Sequence, residues 1–419
     1  MTTALAGLVL EDWFPPASDA LDVTTCLRGS LCAASLLCLC VSVVWTYLIR
    51  KSRGSAYVLL AQDESVQWHN AEAITEATRR HLNLNTLSVR FDPGAAGEVV
   101  DIRSDLGELE WELNGEQNSD DDSTGVDVYP DMVMPAGLAV GYTWQPPAHA
   151  YLWETNPRNN ADSKSSKDYD FTFQSMVDTP QNGLPGLHPP ITSNDAIRAV
   201  CVYLYLTDAV PRPPVRTGAL CPDLPGWGDP QDVFDRVLFL GVRPQGSRDF
   251  ARCRVSMDES SDKSNQIAYY DATTGQPLRF NDADDAVMDA SPTQAIVGAG
   301  RALVNVMREY PKATIILTGR VPKCLSLGLG WYLANASNAL PIHPWRRLVP
   351  LGAIGRNYIL HPFWVYRDQP SPQETLASAG IAHVNGLWVK DRKAAARLLE
   401  KPGRHYRACR RGTSKRRGA

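Results

Sequence analysis

The six residues Thr318-Gly319-Arg320-Val321-Pro322-Lys323 place a glycine, two bases and a proline where the apolar run Thr314 to Leu317 gives way to a helix-forming stretch. Glycine lets backbone come close to a neighbouring group, a helix amino terminus presents unpaired amides, and arginine and lysine add positive charge. Together they would cradle an anion or a phosphate through Gly319, Arg320 and Lys323. An ordinary strand–helix turn with surface bases fits the same residues. The phosphate-loop pattern G-x-x-x-x-G-K-[ST] is absent.

A second turn of this kind is Met132-Val133-Met134-Pro135-Ala136-Gly137, which carries no base. The two turns belong to one repeated pattern. Pro135, Leu138, Gly141 and Trp144 have the spacing P-x-x-L-x-x-G-x-x-W, and Pro322, Leu325, Gly328 and Trp331 repeat it 187 residues later. Each copy follows a short apolar run and precedes a proline-rich stretch ending in tryptophan, Pro146 to Trp153 and Leu340 to Trp345. Two copies of one strand–helix–strand unit indicate a duplicated α/β domain. Duplicated sheets of this kind form a composite cleft at the carboxyl ends of their strands. If both turns face one ligand, Met134, Pro135 and Gly137 supply backbone and apolar contacts and the second turn supplies charge. Trp144 and Trp331 would then stack on bases, although aromatics at that distance past a helix start are commonly core residues.

No catalytic set accompanies these turns. The eight histidines are scattered, without H-E-x-x-H, and no G-x-S-x-G elbow is present. His361-Pro362 and His343-Pro344 read as structural. The carboxylates of Asn281 to Asp285 fit a solvated loop as well as a cation site. The nine cysteines have no metal-ligand spacing and read as small buried thiols of a reducing compartment. A chain with no visible reaction centre is expected to be a sensor rather than an enzyme, with no cofactor.

The elements that must position these turns follow from the apolar patterning. Ala56 to Ala61, Leu87 to Phe91, Ile197 to Thr207, Val237 to Val242 and Thr314 to Leu317 read as strands. Asn70 to Leu82 reads as a helix capped by Asn70, and Ser291 to Glu309 as another, with Ser291 as cap and Pro292 in its first turn. Asn114 to Gly125, Asn156 to Asp168 and Pro211 to Pro230 read as loops. Strands alternating with helices of this length indicate mainly parallel sheets.

The 419 residues allow two or three compact units, and a formal net charge of -4 gives no global field for nucleic acid. The charge is uneven: twelve Lys or Arg against two acids lie between Lys390 and the end. That basic tail, above all Arg404 to Arg417, would touch anionic lipid or nucleic acid, or simply be solvated. Near the start, Gly29 to Ile49 carries no charge and is long enough to cross a bilayer as a helix. Arg50, Lys51 and Arg53 follow it, whereas Glu11, Asp12, Asp19 and Asp22 precede it, with Arg28 as the base on that side. The positive-inside rule then puts the amino terminus outside and the bulk of the chain in the cytoplasm.

The run from Ser291 to Trp331, with its strand ATIIL and the turn and helix G-R-V-P-K-C-L-S-L-G-L-G-W, resembles the carboxyl-terminal half of a SAVED domain. Ile197 to Thr207 resembles the strand that opens that half, and Pro135 to Trp153 resembles part of the first half. The resemblance covers about Ser55 to Lys390. It implies two fused CARF-like, Rossmann-related halves that bind a cyclic di-, tri- or tetranucleotide in an antiphage system such as CBASS, with a functionally linked nucleotidyltransferase as its source. By position the ligand would lie near Met134 to Gly137 and Gly319 to Lys323. The turns after the first strand of each half, Gln62 with Asp63 and Thr207 with Asp208, would face the same cleft.

The organisation expected is an extracytoplasmic segment 1–28, a transmembrane helix 29–49, the two halves 55–195 and 196–390, and a basic tail 391–419. Only about 54 residues precede the SAVED-like region, too few for the nuclease or protease fused to it elsewhere in the family, so the resemblance implies the membrane helix as output module. Ligand binding would drive homo-oligomers that cluster the helices, with Ala33, Ala34 and Ser35 allowing close contact, and disrupt the lipid bilayer in abortive infection. A membrane-tethered ring nuclease and a non-enzymatic membrane scaffold are the alternatives.

Overall fold

The computed structural model describes residues 23–63, 71–95, 97–120, 124–144, 146–147, 150–153, 170–172, 196–205, 224–244, 265–271, 292–336, 344–354 and 359–400. It opens with helix α1, Val23–Arg53, whose window Gly29–Leu48 is long and apolar enough to cross a membrane. None of that window is buried, and Leu37, Val43 and Trp45 are each more than 60% exposed. A core helix of the same composition would be covered by protein, because apolar side chains leave water wherever the fold allows.

The first sheet contains β1 (Ser55–Asp63), β2 (Asn83–Phe91), β4 (Val126–Met132), β5 (Tyr151–Trp153) and β6 (Asp170–Thr172), in the order β2-β1-β4-β5-β6. Its first four strands run parallel and β6 closes it antiparallel. The second sheet contains β3 (Val100–Asp101), β7 (Ala199–Tyr205), β8 (Arg236–Pro244), β9 (Asn265–Asp271), β10 (Thr314–Arg320), β11 (Leu348–Ile354) and β12 (Ile359–Trp364). Its order is β3-β12-β11-β10-β7-β8-β9, and β8, β7, β10 and β11 are parallel. The parallel part therefore repeats the order of the first sheet, with β7 in the place of β1, β8 of β2, β10 of β4 and β11 of β5. The halves are also stitched together. β3 leaves the first half and pairs with β12 at the edge of the second sheet, Val100 opposite Phe363.

The helices are α2 (Ala71–Arg80), α3 (Arg103–Ser119), α4 (Met134–Thr143), the short α5 (Pro230–Val233), α6 (Pro292–Glu309), α7 (Lys323–Ala336), α8 (Pro372–Ser378) and α9 (Arg392–Glu400). β1 is buried along its whole length, and its side chains alternate between two cores. Tyr57, Leu59 and Ala61 join α3, α4, α6, α7 and β7 in the large central core. Ala56, Val58 and Leu60 meet Ala73 and Ala77 of α2 on the opposite face. A parallel strand covered on both faces must be apolar at nearly every position, which is why AYVLLA is legible as a run.

Two expectations are corrected here. Asn114 to Ser119 is not loop but the end of α3, because Leu106, Leu109 and Leu113 form a buried stripe beneath an acidic outer surface. Residues 392–400, expected within the tail, form α9, which packs Ala395 against Ala377 and Ala382. β13 (Ile381–Val384) and β14 (Leu387–Lys390) form the hairpin beneath it, held to the second half by Trp388 stacked on Trp227 at 5.6 Å. The remaining helix and strand expectations hold to within a few residues, and Asn70 and Ser291 lie outside the described residues.

Candidate ligand site between the two halves

The repeated decapeptides fold into α4 and α7, and these two helices cross at backbone contact. A Cβ added to Gly137 would lie 2.3 Å from Ser326 Oγ, one on Gly141 would lie 1.9 Å from Leu327 O, and one on Gly330 would lie 2.0 Å from Leu138 O. The glycines are there for helix approach. Pro135, Ala136, Leu138, Ala139 and Val140 are buried with them, as are Cys324, Leu325, Leu327 and Leu329 on the other helix. A helix apolar on all sides belongs inside the molecule, and this pair is the layer that joins the two sheets.

The crossing brings the amino end of α7 to the strand end from which α4 departs. There Lys323 forms an ion pair with Asp131, a residue at the carboxyl end of β4. The Asp131 side chain is 2% exposed and that of Lys323 25%. The Gln62 amide, at the carboxyl end of β1, donates to the same carboxylate oxygen and to the Asp131 carbonyl at 3.3 Å. Asp63 beside it is buried. β1 and β4 are the neighbours from which the first sheet grows in opposite directions, so Gln62 and Asp131 sit at its topological switch point, where open α/β sheets take ligands. The site thus combines an amide and buried carboxylates from one half with a cation from the other. Hydrogen bonds between ionised partners in such dry surroundings are about twice as strong as neutral ones.

Of the residues singled out by sequence, Gln62 and Lys323 meet at this junction through Asp131, and Met134, Pro135 and Gly137 follow in the first turn of α4, where Gly137 faces Ser326 of α7. Met134 is half-buried, and Pro135 occupies the first turn of α4, where its missing N–H costs no bond. Gly319 has φ +147, and a Cβ there would lie 1.9 Å from Leu204 O. The close approach it permits is therefore to β7. Arg320 closes β10 opposite Tyr205, and its side chain lies outside the described residues. Thr207 and Asp208 are also outside them.

The two tryptophans part company. Trp144 is 1% exposed, donates its indole N–H to Gln117 at 2.6 Å and meets Tyr57 edge-on at 6.5 Å. It is a core residue of the first half. Trp331 is half-buried, with its backbone N 3.1 Å from the position a Gly141 Cβ would take. His361 takes a structural place, with Nδ1 3.1 Å from Glu98 O. His343 and Asn281 to Asp285 lie outside the described residues. Among the described residues no three His, Cys, Asp or Glu side chains form a metal-binding group.

Asp131 is the site residue that sequence reasoning passed over. A signal was present: VDVYPDM puts two carboxylates in a strand otherwise fit for burial. A buried charge requires a partner. Asp127 finds Arg80, which also covers the Trp153 ring at 5.5 Å. Burial still raises the Asp127 pKa, with the Arg80 charge opposing it. Asp131 finds Lys323, 192 residues away.

No family model matches the chain, and no curated protein matches it. Among solved structures, the Acinetobacter baumannii Cap4 SAVED/CARF-domain receptor with the cyclic trinucleotide 3'3'3'-cAAA is similar, with TM-score 0.32 and 10% identity. The same receptor with 2'3'3'-cAAA gives the same values. Each match covers 74% of this chain and 50% of the other, so the chain spans about half the length of the solved structures it matches. A likeness at this score assigns nothing to this chain.

Proposed function

We propose that this chain is a membrane-anchored receptor for a cyclic oligonucleotide, built from two fused CARF-like, Rossmann-related halves behind one transmembrane helix. The observation that carries the reading is the junction of Gln62 and Asp131 with Lys323, in which two strand ends of the first sheet meet the start of the helix that follows β10, in a second sheet whose parallel strands repeat the first one's order. A ligand with repeated phosphates and bases suits such a pseudo-symmetric site, because each half offers related backbone while the cation comes from one side. The SAVED resemblance of the repeated turns supports the same ligand class.

Receptor and membrane helix make one chain, so the output acts on the bilayer. Ligand that binds an assembly better than the monomer favours homo-oligomers, and each added protomer contributes one α1. Clustered helices then impair the inner membrane and arrest the cell, with no catalytic step.

The test is a titration of the full chain in lipid nanodiscs with cyclic di-, tri- and tetranucleotides, read by calorimetry. Multi-angle light scattering in detergent follows assembly. Saturable binding of one ring with growth in mass supports the receptor. Linear oligonucleotide products would replace it by a ring nuclease, and no binding across the panel would leave a membrane scaffold.

A further inference from the structure

The passage from membrane helix to soluble fold is one residue long. α1 ends at Arg53 and β1 begins at Ser55. Gly54 between them has φ +102, and a Cβ there would lie 2.1 Å from Gly125 O. This single glycine is gripped from both neighbours of β1. Its carbonyl accepts the Asn83 N–H at 2.9 Å, at the start of β2, and the adjacent Ser55 N–H donates to Gly125 O at 3.0 Å, just before β4. A third contact comes from Asp120, the residue that follows α3. Ser55 Oγ donates to Asp120 at 2.8 Å, and the Tyr57 hydroxyl donates to the other oxygen of that carboxylate. Burial first, and then the Asp120 bond and charge, push the Tyr57 hydroxyl well above its ordinary pKa, so it remains a donor at any physiological pH.

From this joint β1 runs buried for nine residues, paired on one side along its whole length and on the other from Ser55 to Ala61. Its penultimate residue is Gln62, whose amide holds Asp131 and through it Lys323 of the second half. A hinge needs residues free to absorb changes in φ and ψ. Gly54 is held through its carbonyl and packed against Gly125, and the next residue, Ser55, is bonded to Gly125 and Asp120, so the joint is a fixed bend.

We propose that β1 is a rigid rod that carries displacement of the Gln62–Asp131–Lys323 end to α1, delivered as tilt or rotation of the membrane helix rather than absorbed in a linker. The nature of the stimulus rests on the receptor reading, but the stiffness is a property of the joint itself. With α1 about 46 Å long at 1.5 Å per residue, a 5° rotation at the joint would move its far end by about 4 Å.

The experiment uses the full chain in lipid nanodiscs, with spin labels introduced as non-natural residues at Val44 on α1 and Glu108 on the exposed face of α3. The expected result is one narrow distance distribution. Inserting Gly-Ser-Gly-Ser between Arg53 and Gly54 should broaden it at least two-fold. A distribution equally broad without the insertion would overturn the rigid joint. Adding cyclic di-, tri- and tetranucleotides in turn as probes, 3'3'3'-cAAA among them, tests transmission: a shifted mean that the insertion abolishes supports it, and binding without a shift in the uninterrupted chain overturns it. Failure of every cyclic nucleotide to bind counts against the receptor reading, while the comparison of widths still decides the joint.

Discussion

Replacing Lys323 by methionine keeps the length and apolar stem of the side chain and removes its charge. Asp131 would then lose the Lys323 cation while its carboxylate stays 2% exposed. Removing one partner of a fully buried ion pair costs about 3–5 kcal/mol. Lys323 is 25% exposed, so solvent screens its part of the pair and the expected loss falls to about 2 kcal/mol. Asp131→Asn should cost about 1–2 kcal/mol, since the Gln62 amide can still meet its side-chain oxygen. The double variant should recover part of the sum, with a coupling energy of about 1.5 kcal/mol. Urea unfolding in detergent, followed by tryptophan fluorescence, measures all four corners of the cycle. The same variants separate the ligand role from the structural one. Loss of one charge-assisted contact of about 2 kcal/mol predicts about 30-fold weaker binding of the active cyclic oligonucleotide to Lys323→Met. Asp131→Asn should bind it more tightly, because the phosphate no longer shares the lysine with a carboxylate. Coupling below about 0.3 kcal/mol, within the additivity of independent sites, would refute the inter-half link. Unchanged affinity in Lys323→Met would refute the ligand role of the cation.

Gly330→Val, whose Cβ falls 2.0 Å from Leu138 O, should cost about 3 kcal/mol or more, whereas Gly115→Ala, with open space in mid-α3, should stabilise by about 0.5–1 kcal/mol. Thermal unfolding scans of the two variants check that contrast, and equal effects would dissolve the case for a glycine-mediated crossing. Trp144→Ala should cost about 3–5 kcal/mol as a core truncation, and a variant that unfolded like the parent chain would move Trp144 out of the core. At Asp235 burial acts to raise the pKa, but the Lys390 contact and the backbone N–H groups of Arg198 and Ala199 outweigh it and hold the carboxyl below its ordinary 3.8. Its stabilisation is therefore complete above that value and fades as pH falls through the lower folded value. Asp235→Asn should be less stable by about 2 kcal/mol at pH 7, with the gap closing only below pH 3.8, as unfolding midpoints across pH would record.

The parts of the fold that were legible share a physical cause. β1, β7 and β10 are covered on both faces, so their residues are apolar in sequence order and need no long-range information to be recognised. The repeated decapeptides were legible because two helices doing the same job must both stay narrow enough to cross. α3 was not, since its buried leucines are diluted by Glu108, Glu110 and Glu112, and the outward composition of the segment is that of a solvated loop.

The sequence by itself determined the strand–helix alternation, a helix fit for a membrane and the two strand–helix turns, because each depends on residues close together along the chain. Tertiary structure alone decided what those residues meet. It sent Trp144 into the core and made the glycines a helix crossing. It joined Asp131 to Lys323 across 192 residues and fastened α1 to β1 through Gly54. A carboxylate, a glycine or a tryptophan has no role until burial and a partner give it one, and burial and partners are properties of the folded chain.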